Sequence, residues 1–291
     1  MAKLSWRSRL TDEETAEVLA LLTAATEADG QPPVSEAALL RLRHGDHAVH
    51  LLAREGYGLV GYAQLEGGTG ELAVHPEHRR RGVAGAMVRA LMDRARSTGG
   101  GLRLWAHGDH PGAKRLAQKY GFTEARVLLQ LRRSLLTPLD APTLPDGVTL
   151  RPFKPGRDEA AFVAVNNKAF AWHPEQGRWD VEQIRQREAE PWFDPEGFLL
   201  AVDSSTDRIL GFHWTKAHSA ELGEVYVLGV DPAEHGRGLG TALTLAGLKH
   251  LRARGMTTVM LYVEAENEPA LRTYQRLGFT RWDTDVAYSS P

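Results

Sequence analysis

The chain has 291 residues, 42% of them hydrophobic and 25% charged, with a formal net charge of −2 and no cysteine. That length predicts two soluble domains, each able to bury its own core, and the balanced charge gives no global pull toward nucleic acid or an anionic membrane. The missing cysteines exclude a disulfide framework, a thiolate nucleophile and a Cys-based metal site. No apolar run approaches the roughly 20 residues of a membrane span, and Met1–Leu10 is polar without an apolar signal core, so a cytoplasmic enzyme or binding protein is expected.

Thr11–Thr26 carries Val18, Leu21 and Leu22 at helical spacing behind an acidic first turn, which predicts an opening amphipathic helix. His47–Ala53 and Gly58–Leu65 read as a hairpin turning at Gly56, and Leu72–Val74 as a strand ended by His75-Pro76. Val83, Met87, Ala90, Leu91 and Arg94 define the next helix, stopped by Gly99-Gly100-Gly101. Leu102–Ala106 is a strand and Pro111–Tyr120 a short helix ended by Gly121. Thr137–Gly147 holds three prolines and reads as a linker between domains 1–136 and 148–291. Beyond it come a strand at Val148–Pro152, a helix at Asp158–Ala169, a Trp/His/Pro/Glu-rich stretch at Ala171–Asp180 and a helix at Val181–Ala189. Strands follow at Gly197–Val202, Ile209–Lys216 and Glu224–Val230, then a helix marked by Leu239, Leu243, Ala246, His250 and Leu251. Thr257–Glu264 is a β-branched strand, and Glu268–Leu277 is the last helix, ended by Gly278.

Within this order the chain repeats itself. Leu72-Ala73-Val74-His75-Pro76, an Arg/Gly turn and Tyr120-Gly121-Phe122 are answered by Leu228-Gly229-Val230-Asp231-Pro232, Gly236-Arg237-Gly238 and Leu277-Gly278-Phe279. Arg81 and Arg237 lie 156 positions apart, and Gly121 and Gly278 lie 157 apart. Solenoid repeats run to about 20–50 residues, so a period this long marks a duplicated domain.

In each half a strand ends in a turn of small residues that opens a helix. Free backbone N–H groups then meet the positive end of a helix dipole, which suits phosphate. Gly236, Gly238 and Gly240 clear side chains from that turn, and His235 and Arg237 add donors. A dinucleotide fingerprint fails because Thr241 stands where its third glycine belongs, and no Gly-Lys-Ser/Thr follows to make a Walker loop.

These turns resemble the acetyl-coenzyme A motif Q/R-x-x-G-x-G/A of the Gcn5-related N-acetyltransferase (GNAT) superfamily. His235 fills the first position, a mild departure, with Gly236-Arg237-Gly238-Leu239-Gly240-Thr241 after it. In the first half Arg79, Gly82 and Ala84 or Gly85 fill the same frame. Asn267 with Tyr274-x-x-x-Gly278-Phe279 is similar to the superfamily's closing helix. The tandem arrangement, Trp172-His173-Pro174-Glu175-Gln176-Gly177, the run Gly211–Lys216 and the run Leu222–Val230 resemble the mycothiol synthase family over essentially the whole chain. The resemblance implies an α/β fold of two tandem GNAT domains, each a mixed twisted sheet flanked by helices. It also implies acetyl-coenzyme A held by Leu72-Ala73-Val74 and Arg80-Arg81-Gly82-Val83-Ala84-Gly85 in the first half. In the second, the contacts would come from Leu228-Gly229-Val230, His235–Thr241 and Asn267-Glu268-Pro269-Ala270-Leu271-Arg272. For the acceptor, a cysteine–glucosamine–inositol conjugate, it implies contacts from Glu36, Glu175, Lys216, Glu224 and Tyr262.

The chemistry selects residues within this frame. Acetyl transfer to an amine needs a neutral amine, a polarised thioester carbonyl and a protonated or hydrogen-bonded leaving thiolate. Glu224, at the start of the strand leading into the second turn, can take the ammonium proton, through water. Tyr274 follows Asn267 by two helical turns, so both can face the coenzyme. A tyrosine near pKa 10 facing a thiol near 8.5 makes full transfer uphill by about 2 kcal/mol, so a hydrogen bond that matures as the thiolate leaves is its expected role. Taken singly, Glu175, Lys216 and Tyr262 are surface polar residues, and Glu224 could equally be an ordinary salt-bridged carboxylate. His44, His47 and His50 straddle a Gly-Asp turn and lack a fourth ligand, so no metal is expected. Trp172, Trp179, Trp192 and Trp214 are expected as core and pocket walls, because no basic stripe accompanies them.

The first half places Gly68, His110 and Ala117 opposite Glu224, Asn267 and Tyr274. It keeps the anion turn and lacks the base, the asparagine and the acid, so it is expected not to turn over. The expected protein is therefore a monomer with one catalytic domain. The rival readings are an acetyltransferase for another amine (an aminoglycoside, a peptide or a protein N-terminus) and a non-catalytic acyl-coenzyme A sensor.

Overall fold

A computed structural model describes residues 2–44, 48–173 and 176–291. In chain order the elements are β1 (Lys3–Arg7), α1 (Asp12–Asp29), α2 (Glu36–His44), β2 (Val49–Glu55), β3 (Gly58–Glu66), β4 (Thr69–Val74), α3 (Val83–Ser97), β5 (Arg103–Ala106), α4 (Pro111–Tyr120) and β6 (Thr123–Ser134). They continue with β7 (Val148–Pro152), α5 (Glu159–Ala169), α6 (Val181–Glu188), β8 (Phe198–Asp203), β9 (Ile209–Ala217), β10 (Leu222–Val230), α7 (Leu239–Ala253), β11 (Thr258–Glu264), α8 (Glu268–Arg276) and β12 (Thr280–Ser289). Residues 137–147 carry neither helix nor strand. The chain forms two compact units, Met1–Leu129 with Glu264–Glu266 and Asp283–Pro291, and Gln130–Val263 with Asn267–Trp282.

In the first unit β1, β2, β3 and β4 pair antiparallel in sequence order, β4 pairs parallel with β5, and β5 pairs antiparallel with the end of β12. Helix α1 begins where the acidic turn predicts: Thr11 caps it, with Glu14 closing a reciprocal capping box, and Gly30 ends it at φ 72°. Strand alternation divides the core. Leu52, Tyr62 and Ala73 face α1 and α2, while Leu51, Ala53 and Ala63 face Val83, Met87 and Leu91 of α3.

The second unit repeats the plan. β7, β8, β9 and β10 pair antiparallel in order, and β10 pairs parallel with β11. Phe162 of α5 and Ile184 of α6 pack with Phe198, Leu200, Phe212 and Trp214 on one face. Leu239 and Leu243 of α7 pack with Ala201 and Leu210 on the other. The repeat offset persists in three dimensions: α3 and α7 are both 15 residues long and start 156 apart.

One cluster of the first unit had no signal in the sequence. The His107 ring, 12% exposed, lies between two buried carboxylates, Nδ1 2.8 Å from Asp285 and Nε2 3.4 Å from Glu71. Glu71 also accepts from the Ser35 backbone and hydroxyl, and Gly108 N–H donates to Asp285 at 3.0 Å. Burial opposes the charge on His107, but the hydrogen bonds and attraction of Asp285 and Glu71 outweigh it and push the imidazole up to about 10. Its folded pKa lies above the unfolded value, so its stabilising contribution is full below about pH 6.5 and is lost as pH rises through about 10. Removing one partner of a buried ion pair costs about 3–5 kcal/mol. His107→Gln should therefore lower unfolding stability by that order at pH 7, with the gap to wild type narrowing toward pH 10. A gap under about 1 kcal/mol, or one unchanged with pH, would remove this cluster from the account of stability.

Candidate active site

Helices α7 and α3 open on the same backbone device. Gly236 and Gly238 both take φ 80°, and Gly238 is the N-cap of α7. In the first unit Arg80 at φ 59° and Gly82 at φ 86° take the corresponding conformations, Gly82 capping α3. Neither helix has a side-chain cap among the described residues or an acidic residue in its first turn. The N–H groups of both first turns are thus left for an anion, at the positive end of the dipole. His235 and Arg237 are turned to the protein instead: the His235 ring lies 3.2 Å from the Val230 carbonyl, and Arg237 pairs with Glu234 and donates to the Asp146 carbonyl. Arg79 in the first unit likewise makes a bidentate pair with Asp29, both contacts 2.7 Å. The backbone, more than these side chains, supplies the open donors.

The strand that leads into each turn parts from its parallel neighbour. β10 and β11 are in register only from Leu222–Thr258 to Glu224–Met260, and β4 and β5 only from Thr69–Arg103 to Gly70–Leu104. Beyond these points one edge of β10 and of β4 has no strand partner among the described residues and can pair with an extended ligand. In the second unit a bulge at Tyr226 bends β10 just past Glu224.

A cleft of about 470 Å³ follows this opening. It is lined by Leu228-Gly229-Val230, by His235, Gly236, Gly238, Leu239, Gly240 and Thr241, and by Asn267, Pro269, Ala270, Thr273 and Tyr274. Asn267 is the N-cap of α8, its side chain accepting from Ala270 N–H at 3.3 Å. Opposite it in the repeat, His110 caps α4 through Gly112 N–H at 3.1 Å. Tyr274 is partly buried, stands edge-on to Phe279 and makes no side-chain hydrogen bond among the described residues. Burial pushes its phenol up to about 12, so it stays a proton donor across the working range. Glu268 and Arg272, expected at the coenzyme, pair with each other at 2.9 Å on the exposed face of α8. The cleft draws on Pro269, Ala270 and Thr273 of that helix, with Phe170 and Trp172 added from the segment after α5. Trp172 is 59% exposed at the rim, whereas Trp214 is fully buried and Trp179 and Trp192 pack against the core.

Glu224 is buried at the end of the β10–β11 ladder and directly opposite Lys216 on β9. Lys216 is also buried, its ammonium 4.5 Å from the Trp192 ring and 5.2 Å from that of Tyr226. Tyr262, two residues past the ladder on β11, is 39% exposed and accepts a hydrogen bond from Gln130 at 2.8 Å. One carboxylate Oε2 of Glu224 lies 2.7 Å from Nε2 of His218, a partner the sequence reading did not include. Glu36 opens α2 in the first unit, and Glu175 lies outside the described residues. So does His47 of the histidine trio, while His50 is engaged with the Tyr62 hydroxyl at 2.8 Å. Opposite Tyr274 and Glu224 in the repeat, Ala117 is buried in the core and Gly68 sits in the β3–β4 turn at φ 81°.

Comparison with known proteins agrees with this geometry. The acetyltransferase (GNAT) family matches twice, at residues 15–122 and 166–279. Mycothiol acetyltransferase of Thermobispora bispora is 54% identical, over 96% of this chain and 97% of that protein. The protein of the same name from Actinosynnema mirum is 51% identical, over 99% and 100%. Among solved structures, a tandem GNAT protein from the clavulanic acid biosynthesis pathway superposes with a TM-score of 0.76 at 20% identity, covering 100% of this chain and 98% of that one, and shares the fold. A GCN5-related N-acetyltransferase from Sphaerobacter thermophilus gives a TM-score of 0.69 at 26% identity, over 99% and 96%. The two matched repeats, each built around an uncapped glycine-turn helix beside a parting pair of parallel strands, place the chain in the acetyltransferase (GNAT) family, and its full-length likeness to the mycothiol acetyltransferases makes it a tandem-domain member of that group.

Proposed function

We infer that the second unit transfers acetyl from acetyl-coenzyme A to the cysteinyl amine of a cysteine–glucosamine–inositol conjugate, the closing step of mycothiol formation, in a monomeric cytoplasmic enzyme. The observation that carries this reading is one unit in which the parted β10–β11 ladder, the uncapped α7 and the Asn267–Tyr274 face of α8 adjoin. The names of relatives 51–54% identical over nearly the whole chain support the choice of acceptor.

In this reading the first-turn N–H groups of α7 take the pyrophosphate, and the free edge of β10 orders the pantetheine arm. Glu224 takes the proton of the acceptor ammonium, directly or through water, and the freed amine attacks the thioester. Tyr274 then donates its O–H to the departing thiolate. Lys216, Tyr262 and Glu175 suit an acceptor rich in hydroxyls and bearing an amine. The first unit retains Arg80, Gly82 and an uncapped α3, and holds coenzyme without turning it over.

The test is purified protein with acetyl-coenzyme A and a panel of amines that includes the cysteinyl conjugate, read by mass spectrometry. Acetylation of another amine alone would overturn the acceptor, and binding without transfer would make the protein a sensor. Glu224→Gln keeps the shape of the side chain and loses its basicity. Turnover should fall about 10²-fold at neutral pH, the lower end of what a positioned base contributes. The deficit should widen as pH falls, because the variant depends on the shrinking fraction of acceptor that is already neutral. A pH–rate profile parallel to wild type would make Glu224 a binding residue only.

A further inference from the structure

We propose that His218 is the proton outlet of the base, a positioning residue that carries to solvent the proton Glu224 removes from the acceptor. The proposal rests on the acetyl-transfer reading above. It begins from the stoichiometry: R–NH3⁺ and an acetyl thioester become R–NH–acetyl, a thiol and one H⁺. The new C–N bond replaces the C–S bond. One nitrogen proton ends on the sulfur and another must leave the protein. Glu224 is only 7% exposed, so a carboxyl protonated there needs a route outward before the next cycle.

The hairpin builds that route. Ala217 pairs with Gly223 and Lys216 with Glu224, and the turn closes with His218 N–H donating to the Leu222 carbonyl at 2.9 Å. His218 therefore lies diagonal to Glu224 across the two strands, within reach of its side chain. Its Nε2 meets Oε2 of Glu224 at 2.7 Å, while the His218 side chain is 31% exposed. His218 also lines a second cavity of about 310 Å³ together with Trp192, Asp194 and Arg254. Once Glu224 holds the ammonium proton, its Oε2–H donates to Nε2 of the imidazole tautomer that carries its own proton on Nδ1. Nε2 takes that proton as Nδ1 gives its proton to solvent, so one proton leaves per turnover. Exchange of the ring protons with solvent restores the Nδ1 tautomer before the next cycle.

Other charged and titratable groups frame this pair. Lys216 stands opposite Glu224 on β9, Tyr226 follows it on β10, and Tyr262 lies on β11. At the cavity, Asp194 is held by Arg254 at 2.6 Å and by His250 at 3.1 Å. Asp194 is thus already engaged, which leaves His218 as the bridge between Glu224 and that cavity among the described residues.

The experiment compares wild type, His218→Gln and His218→Ala in steady-state assays from pH 6 to 9 at several buffer concentrations. His218→Gln can still donate to Glu224 but cannot relay a proton. Its kcat should fall about tenfold, most at the acid end, with KM for acetyl-coenzyme A unchanged. In His218→Ala, added imidazole should restore turnover in proportion to its concentration and leave wild type unaffected. A His218→Gln variant within twofold of wild type at every pH, or equal loss in both variants without imidazole rescue, overturns the outlet and leaves a structural hydrogen bond. If wild type acetylates a different amine, the acceptor reading falls separately. The same comparison then runs on that amine, because any ammonium acceptor sheds the same proton.

Discussion

Tyr274→Phe should lower kcat by about 10²–10⁴-fold, the range that a positioned general acid contributes, while affinity for acetyl-coenzyme A stays within a few-fold. The phenyl ring keeps its packing against Phe279 and its place on the wall of the cleft, so only the O–H is lost. Nothing else among the described residues engages that hydroxyl, which leaves it free to meet the leaving sulfur. With burial pushing the phenol up to about 12, it loses its proton only well above the range in which the enzyme is assayed. The sign is therefore definite. An acid that must be protonated fails as pH rises through its own pKa, so Tyr274 imposes no descending limb on kcat up to about pH 10. The raised value also makes complete transfer to a thiolate near 8.5 less favourable than it would be in water, which favours a hydrogen bond that strengthens as charge grows on sulfur. Near wild-type turnover in Tyr274→Phe would remove the assignment, and a large rise in KM with kcat unchanged would make the hydroxyl a binding group.

The parts of this molecule legible in its sequence are those with local causes. The acidic first turn of α1, the glycine stops of α3 and α4 and the turn glycines of α7 announce themselves within a few residues. The structure places those boundaries close to where they are expected, although α1 runs on to Asp29, past the expected Thr26. The elements not anticipated are β1, α2, β6 and β12. Of these, β6 and β12 read poorly because charges interrupt their alternation: Arg126, Arg132 and Arg133 lie in one, Arg281, Asp283 and Asp285 in the other. Their stability comes from neighbours distant in sequence, as when Ala287 pairs with Trp105. The last residues of the chain complete the first unit for the same non-local reason. The site divides along the same line. Glycines at left-handed φ and an asparagine cap can be read directly, whereas the His218–Glu224 contact depends on hairpin register, which brings a turn residue just past β9 against one on β10 six positions away. Glu268 and Arg272 pair with each other one turn apart on the exposed face of α8, a contact that follows from helical spacing.

Gly238→Asp should abolish turnover, and its logic separates the protein's tolerance from the ligand's. A Cβ built on Gly238 meets nothing within 4 Å, so the fold has room for the side chain. The cost to folding is the left-handed φ of 80°, about 1–2 kcal/mol for a residue with a Cβ and less for Asp than for most. What changes is the charge beside the open N–H groups of α7. A carboxylate there competes for the donors and repels a pyrophosphate, and like charges brought together cost several kcal/mol, roughly 10³-fold in affinity. Gly238→Ala carries the same backbone strain without the charge and should stay within about tenfold of wild type, which assigns the loss to electrostatics. The parallel change in the first unit, Gly82→Asp, also finds open space for its Cβ and sits on the same uncapped geometry. It should remove one of two coenzyme sites counted by calorimetry and leave acetyl transfer within a few-fold, because Gly68 and Ala117 stand where the second unit has Glu224 and Tyr274, the proposed base and acid. If Gly82→Asp loses transfer while the protein stays folded and the second site still fills, coenzyme in the first unit takes part in turnover. The view of that unit as a silent copy would then be wrong.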